Sequence, residues 1–66
     1  MQIEKIKERV IPPLFSLLDA MKRMDELMVK TLFVINEEHF EGIITLGDIQ
    51  RAIIKNVALK EPVSHI

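Results

Sequence analysis

Thr45, Asp48 and Arg51 are the residues of this chain whose types and spacing best suit binding chemistry. At the start of a helix, a Thr-x-x-Asp pair lies beside backbone N–H groups that have no partner within the helix. A carboxylate there can accept hydrogen bonds from two neighbouring hydroxyl groups, and the helix end favours a phosphate. The same two side chains also form a capping box without any ligand. The spacing therefore leaves ligand binding and simple capping open.

Arg51 follows Asp48 on the same helix and has two interpretations: it neutralises a phosphate, or it pairs with Asp48 at the surface. His39 and His65 have no second metal ligand near them in the sequence, so no metal site is predicted. The sequence contains no nucleophile–base constellation and no glycine-rich phosphate loop. We therefore expect a chain that is not an enzyme and that carries no catalytic cofactor.

The composition predicts that the chain needs a partner surface. The chain has 66 residues, no Cys, and 48% hydrophobic residues. A chain of this length buries only about 60% of the surface that its unfolded form exposes, and it has no disulfide to compensate. An apolar chain without such a staple is expected to complete its core against another surface. A homodimer is the first expectation.

Charge and hydropathy exclude other partners. The net charge is −1, with 9 basic and 10 acidic residues, whereas a protein that binds the nucleic-acid backbone usually has a basic excess. No apolar run approaches the roughly 20 residues that span a bilayer, and no signal peptide is visible. We therefore expect no nucleic-acid or membrane partner and a cytoplasmic location.

The elements before the Thr-x-x-Asp pair are predicted from helix breakers and periodicity. Pro12 and Pro13 exclude a helix and favour a short strand near residues 9–11, after a segment that suits either a helix or an extended arm. Ser16 and Asp19 then start an amphipathic helix. Its apolar stripe is predicted to be core, and its Met residues core or interface filler: Leu17, Leu18, Ala20, Met21, Met24, Leu27 and Met28.

Two β-rich runs follow, at residues 31–35 and 40–44, and a short polar turn between them predicts an antiparallel hairpin. Thr45 starts a second amphipathic helix, which Asn56 is expected to stop. The predicted fold is α+β, in the order β-α-β-β-α. It consists of a small three-stranded sheet with two helices packed on one face, which leaves the other face for a partner.

These elements resemble the cystathionine-β-synthase (CBS) domain. The resemblance rests on Pro13 with the Ser16–Met21 segment, on the strand 32–35, and above all on Glu41–Ile49, which contains Gly-x-hydrophobic-Thr-x-x-Asp. It implies one repeat in residues 1–66, with a core at about 7–56 and a tail, 57–66, similar to the lead-in of a second repeat. Residues 47–53 are also similar to repeats that precede bacterial sugar-phosphate nucleotidyltransferase domains, which implies a parent catalytic domain.

The resemblance also implies a ligand. In the family, this Thr and Asp contact an adenosine nucleotide, so Thr45 and Asp48 become ribose and phosphate contacts, with Arg51 as a further phosphate contact. The candidate ligands are AMP, ATP and S-adenosylmethionine. The candidate adenine slot consists of four apolar residues that also suit an ordinary core: Val10, Ile11, Leu32 and Phe33.

Two functional hypotheses follow. In the first, the chain is a regulatory module that self-associates, binds an adenine nucleotide at the dimer cleft and tunes a parent enzyme. In the second, it is a purely structural dimerisation module, and Thr45 and Asp48 only cap a helix. A small DNA-binding unit is disfavoured by the balanced charge.

Overall fold

The computed structural model describes residues 3–66, with side chains described from Ile6 onward; Met1 and Gln2 lie outside the described residues. The predicted α+β order is confirmed, and the segment that suited a helix or an arm is a helix. The elements are α1 (Ile3–Glu8), β1 (Val10–Ile11), α2 (Leu17–Leu27), β2 (Thr31–Asn36), β3 (His39–Thr45), α3 (Leu46–Ile54) and a terminal 3₁₀ helix (Val63–His65).

The sheet has the strand order β1-β2-β3, so β2 is central and β3 is an edge strand. β1 pairs with β2 in parallel, and Val10 lies beside Phe33. β2 and β3 form the predicted antiparallel hairpin, in which Leu32 lies beside Ile44. The long apolar run therefore occupies the centre of the sheet, and the Thr-x-x-Asp pair follows directly from its edge.

Helices α2 and α3 cover one face of the sheet. Side chains alternate between faces along a strand, and paired residues share a face. Leu32 and Val34 on β2 therefore point to the same side as Ile11 and Ile44, and all four are buried. The helices contribute the rest of the core together with one residue of the tail: Leu17, Ala20, Met24, Ile49, Ala52 and Val63.

The opposite face of the sheet, here called the open sheet face, is also apolar. The alternation and the strand register place five residues on it: Val10, Phe33, Ile35, Phe40 and Ile43. Phe40 is 63% exposed and Ile43 is 56% exposed. An apolar face with two large side chains in water is typical of a surface that another protein covers.

The predicted apolar stripe of α2 is wrong at its last residue. Met28 has a left-handed backbone with φ of 56°, and its side chain is 91% exposed. The backbone N–H of Val29 donates to the carbonyl of Met24 at 2.9 Å, so the chain leaves the helix in a C-terminal turn. Leu18 is also 39% exposed. The helix therefore buries only the part of the stripe formed by Leu17, Ala20 and Met24.

The segment after α3 returns to the start of α2. The carbonyls of Glu61 and Leu59 accept hydrogen bonds from the backbone N–H groups of Leu17 and Leu18, at 2.9 and 3.1 Å. These N–H groups have no partner within α2, so the returning segment satisfies them. Val63 is only 4% exposed. The packed core therefore extends past the end of α3 and includes this segment.

Candidate functional site

Thr45 ends β3 and caps α3. Its backbone is extended, with φ of −111° and ψ of 160°, which lets the side chain turn back over the first helical residues. The backbone N–H of Asp48 donates to Thr45 Oγ1 at 3.1 Å, and the backbone N–H of Thr45 donates to Asp48 Oδ2 at 2.8 Å. The two bonds form the reciprocal capping box that the spacing indicated, and they fix the position of the Asp48 carboxylate.

Arg51 contacts the other oxygen of the same carboxylate. Its Nη2 donates to Asp48 Oδ1 at 2.7 Å, so the surface pair that the sequence allowed is present. The pair is accessible: the Arg51 side chain is 65% exposed and that of Asp48 is 39% exposed. A Cβ added at Gly47 would lie 3.3 Å from Arg51 Nη1. The guanidinium group therefore lies close to the backbone of the first turn of α3.

These contacts keep Asp48 ionised. The hydrogen bond from the Thr45 backbone N–H is the main cause that lowers the pKa of Asp48, and the Thr45 side chain and Arg51 lower it further. Partial burial acts in the opposite direction and does not reverse the shift. Near neutral pH, the site therefore presents a carboxylate that only accepts hydrogen bonds.

Asp48 and Arg51 line an open cavity of about 650 Å³. The cavity lies between β3, α3 and the C-terminal segment. Its polar wall also includes Glu41 from β3, Lys55 at the end of α3, and His65. Its apolar wall consists of residues from three parts of the chain: Val34, Ile43, Ile44, Ala52, Val57, Val63 and Ile66.

The predicted site residues fall into separate places. Thr45 does not line the cavity and acts on it by holding Asp48. The four residues of the predicted adenine slot do not line it either. Ile11 and Leu32 are fully buried in the core, and Val10 and Phe33 lie on the open sheet face. The pattern of these strands is apolar throughout, so it could not reveal which side of the sheet borders the site.

Two groups of cavity residues were not predicted as site residues from the sequence. Lys55 lies four positions after Arg51, a spacing that places two residues on one helix face, so its position had a detectable signal. The C-terminal residues Val63, Ser64, His65 and Ile66 reach the cavity only because the chain folds back on α2. No local pattern indicates that return.

The charges at the cavity balance. Glu41 and Asp48 are acidic, and Arg51 and Lys55 are basic. His65 Nδ1 lies 3.0 Å from Glu61 Oε2, which ties the C-terminal turn together. The side chains of residues 6–66 contain no group of three His, Cys, Asp or Glu residues arranged for a metal ion. Among residues 3–66, no helix is long and apolar enough to cross a membrane.

A known domain family matches most of the chain, including β3, the capping box and α3. The family model described as CBS domain matches residues 4–55 of this chain. The chain belongs to the CBS-domain family. No curated protein sequence matches it. CBS domains are generally regulatory and often bind nucleotides, and a CBS domain alone is not catalytic. This CBS domain therefore has the framework of a regulatory module, with Asp48 at an open cavity.

Proposed function

We propose that this CBS domain binds an adenine nucleotide in the cavity beside Asp48 and, through that binding, regulates a parent enzyme. The observation that carries the proposal is an ionised, fixed carboxylate at the wall of a cavity of about 650 Å³. Cavities of roughly 300–1,000 Å³ are typical of small-molecule sites. Each carboxylate oxygen has two acceptor positions, so Asp48 retains capacity for the two hydroxyl groups of a ribose.

The other walls fit the remaining parts of such a ligand. The apolar side chains of Val57 and Ile66, which line the cavity and keep exposed surface, offer a surface for an adenine ring. Arg51 on α3 and Lys55 at its C-terminal end offer two positive charges for a phosphate. AMP is the first candidate, because its dianionic phosphate matches these two charges. ATP adds negative charge without a further matching cation, and S-adenosylmethionine leaves Lys55 without a phosphate.

We propose self-association through the open sheet face. Phe40 and Ile43 expose large apolar surfaces there, and a second copy of the chain would bury both. Ile43 also lines the cavity, which lies beside the edge strand β3. Since β3 is an edge strand and borders the cavity, we propose that a partner on the open sheet face reaches past β3 and makes the cavity a cleft between two copies.

The test compares two variants that each replace one carboxylate by an amide at a helix start. In Asp48→Asn the amide oxygen can still accept from the Thr45 N–H, so α3 keeps its cap while the charge is lost. Asp19→Asn makes the same change at the start of α2, away from the cavity. Millimolar AMP should raise the melting temperature of the wild type and of Asp19→Asn but not of Asp48→Asn. No shift in the wild type, or a full shift in Asp48→Asn, would refute nucleotide binding at this carboxylate.

The second candidate function is a structural dimerisation module. The observation that favours it is that both oxygens of Asp48 already accept hydrogen bonds from within the chain. Under this function the wild type gives no thermal response to AMP, ATP or S-adenosylmethionine, while sedimentation still shows a dimer. A thermal response that is lost in Asp48→Asn excludes it.

For the parent enzyme, we propose a sugar-phosphate nucleotidyltransferase. The similarity of residues 47–53 to repeats that precede such domains supports this choice. The test is to express the full protein that contains this chain and to measure nucleotidyl transfer with and without AMP. A full protein with a different catalytic domain would refute the choice without affecting the proposed binding.

A further inference from the structure

Arg51 occupies one acceptor position of the Asp48 carboxylate, on the oxygen that the capping box does not use. Asp48 Oδ2 is bound to a backbone N–H inside the capping box, which only unwinding of the helix start would release. Asp48 Oδ1 is bound to the guanidinium of Arg51, whose side chain is 65% exposed and free to rotate toward solvent. Of the two contacts, the one from Arg51 is therefore the one that a ligand can displace.

The position of the guanidinium strengthens this point. A Cβ at Gly47 would be 3.3 Å from Nη1 and 3.7 Å from Nη2 of Arg51, so the group lies against the start of α3. Arg51 and Asp48 both line the cavity. A hydroxyl that approaches Oδ1 from the cavity meets this guanidinium.

We infer that Arg51 is a specificity-determining residue that shields Asp48 in the empty site and moves to the phosphate of a bound nucleotide. This inference rests on the proposed nucleotide binding. An exposed ion pair contributes little, so its loss is a small barrier. A guanidinium that moves to a phosphate forms two parallel charge-assisted hydrogen bonds in its place. A nucleoside without a phosphate displaces Arg51 and offers nothing in return. The affinity of the site for AMP should therefore exceed its affinity for adenosine by a larger factor than the attraction between the phosphate and the positive charges alone would give.

Two Met variants distinguish this exchange from simple attraction. Arg51→Met removes a positive charge and also uncovers Asp48. Lys55→Met removes a positive charge from the same cavity wall, but Lys55 makes no hydrogen bond to Asp48. The binding of AMP and of adenosine to the full chain is measured by isothermal titration calorimetry, and circular dichroism checks that each variant is folded.

The exchange predicts opposite changes for the two ligands in Arg51→Met. Adenosine should bind about two- to fivefold more tightly, because it no longer competes with an exposed ion pair. AMP should bind about tenfold more weakly, because a charge-assisted contact is lost. In Lys55→Met, AMP should weaken and adenosine should stay unchanged.

Failure of this inference can be told apart from failure of the proposed function. If AMP binds to the wild type but adenosine binds Arg51→Met no more tightly than the wild type, Arg51 does not shield Asp48. The same holds if Lys55→Met strengthens adenosine as much as Arg51→Met does. If neither ligand binds to the wild type or to Arg51→Met, the proposed nucleotide site is wrong, and the inference falls with it.

Discussion

Replacing Phe40 by Ser tests whether the open sheet face is the surface through which two copies associate. Phe40 lies beside Ile35 at the end of the hairpin and is 63% exposed. A Phe side chain buries about 150–250 Å² when it is fully covered, so about 95–160 Å² of this ring remains for a partner to cover. At about 25 cal/mol per Å², that area corresponds to about 2–4 kcal/mol for each copy.

A symmetric dimer contains the substitution twice, which doubles the loss. Even if the interface covers only half of each exposed ring, the free energy of dimerisation changes by about 2–4 kcal/mol in total. Since about 1.4 kcal/mol corresponds to a factor of ten, the dimer dissociation constant should rise by about 30- to 700-fold. The fold itself should change little, because most of the ring is already in water.

Sedimentation velocity over a concentration series measures this dissociation constant, and circular dichroism confirms that the variant is folded. Leu14→Ser is the matched control, because Leu14 is 81% exposed and lies outside the sheet, before α2. The control should dimerise like the wild type. A Phe40→Ser chain that dimerises as tightly as the wild type would show that another surface forms the interface. A wild type that stays monomeric at the highest concentration would refute self-association altogether.

Three further predictions concern stability, each measured by urea unfolding. Val63→Ala should lower the free energy of unfolding by about 2 kcal/mol, because Val63 is 4% exposed and truncation leaves a cavity; an unchanged midpoint would place the tail outside the core. Met28→Gly should raise it by about 1 kcal/mol, because φ is 56° there, whereas Met28→Ala should not. The pKa of Asp48 is lowered in the folded state, mainly by the hydrogen bond from the Thr45 backbone N–H. The ionised carboxylate therefore contributes its full stabilisation above roughly pH 4, and this contribution is lost as the pH falls through the folded-state pKa. Asp48→Asn should therefore lose less stability than the wild type as the pH falls below about 4, and equal losses would contradict this.

Local features were predictable because they depend on residues that are close in the chain. The capping box needs only Thr45 and Asp48 at the right spacing. Asn56 lies just past the end of α3 with φ of 67°, a left-handed conformation that Asn adopts more readily than most residues. The hairpin followed from two β-rich runs and a short turn. Periodicity failed at Met28, since the apolar spacing continues past the point where the backbone turns out of the helix.

The cavity was not predictable, because its walls come from segments far apart in the chain. Val63 lies in the core, and its backbone N–H donates to the carbonyl of Phe15, nearly fifty positions earlier. The uniformly apolar run of β2 is compatible with either face being covered, and only the strand register assigns Leu32 to the core and Phe33 to the open sheet face.

The amino-acid sequence by itself determined the order of β1, α2, β2, β3 and α3, the Thr45–Asp48 capping box and the family, since these depend on local spacing and side-chain type. Tertiary structure alone decided that Asp48 borders a cavity, that Arg51 covers one of its oxygens there, and which apolar face stays open. The physical reason is that burial and pocket formation depend on how distant segments pack, whereas capping and periodicity depend only on near neighbours.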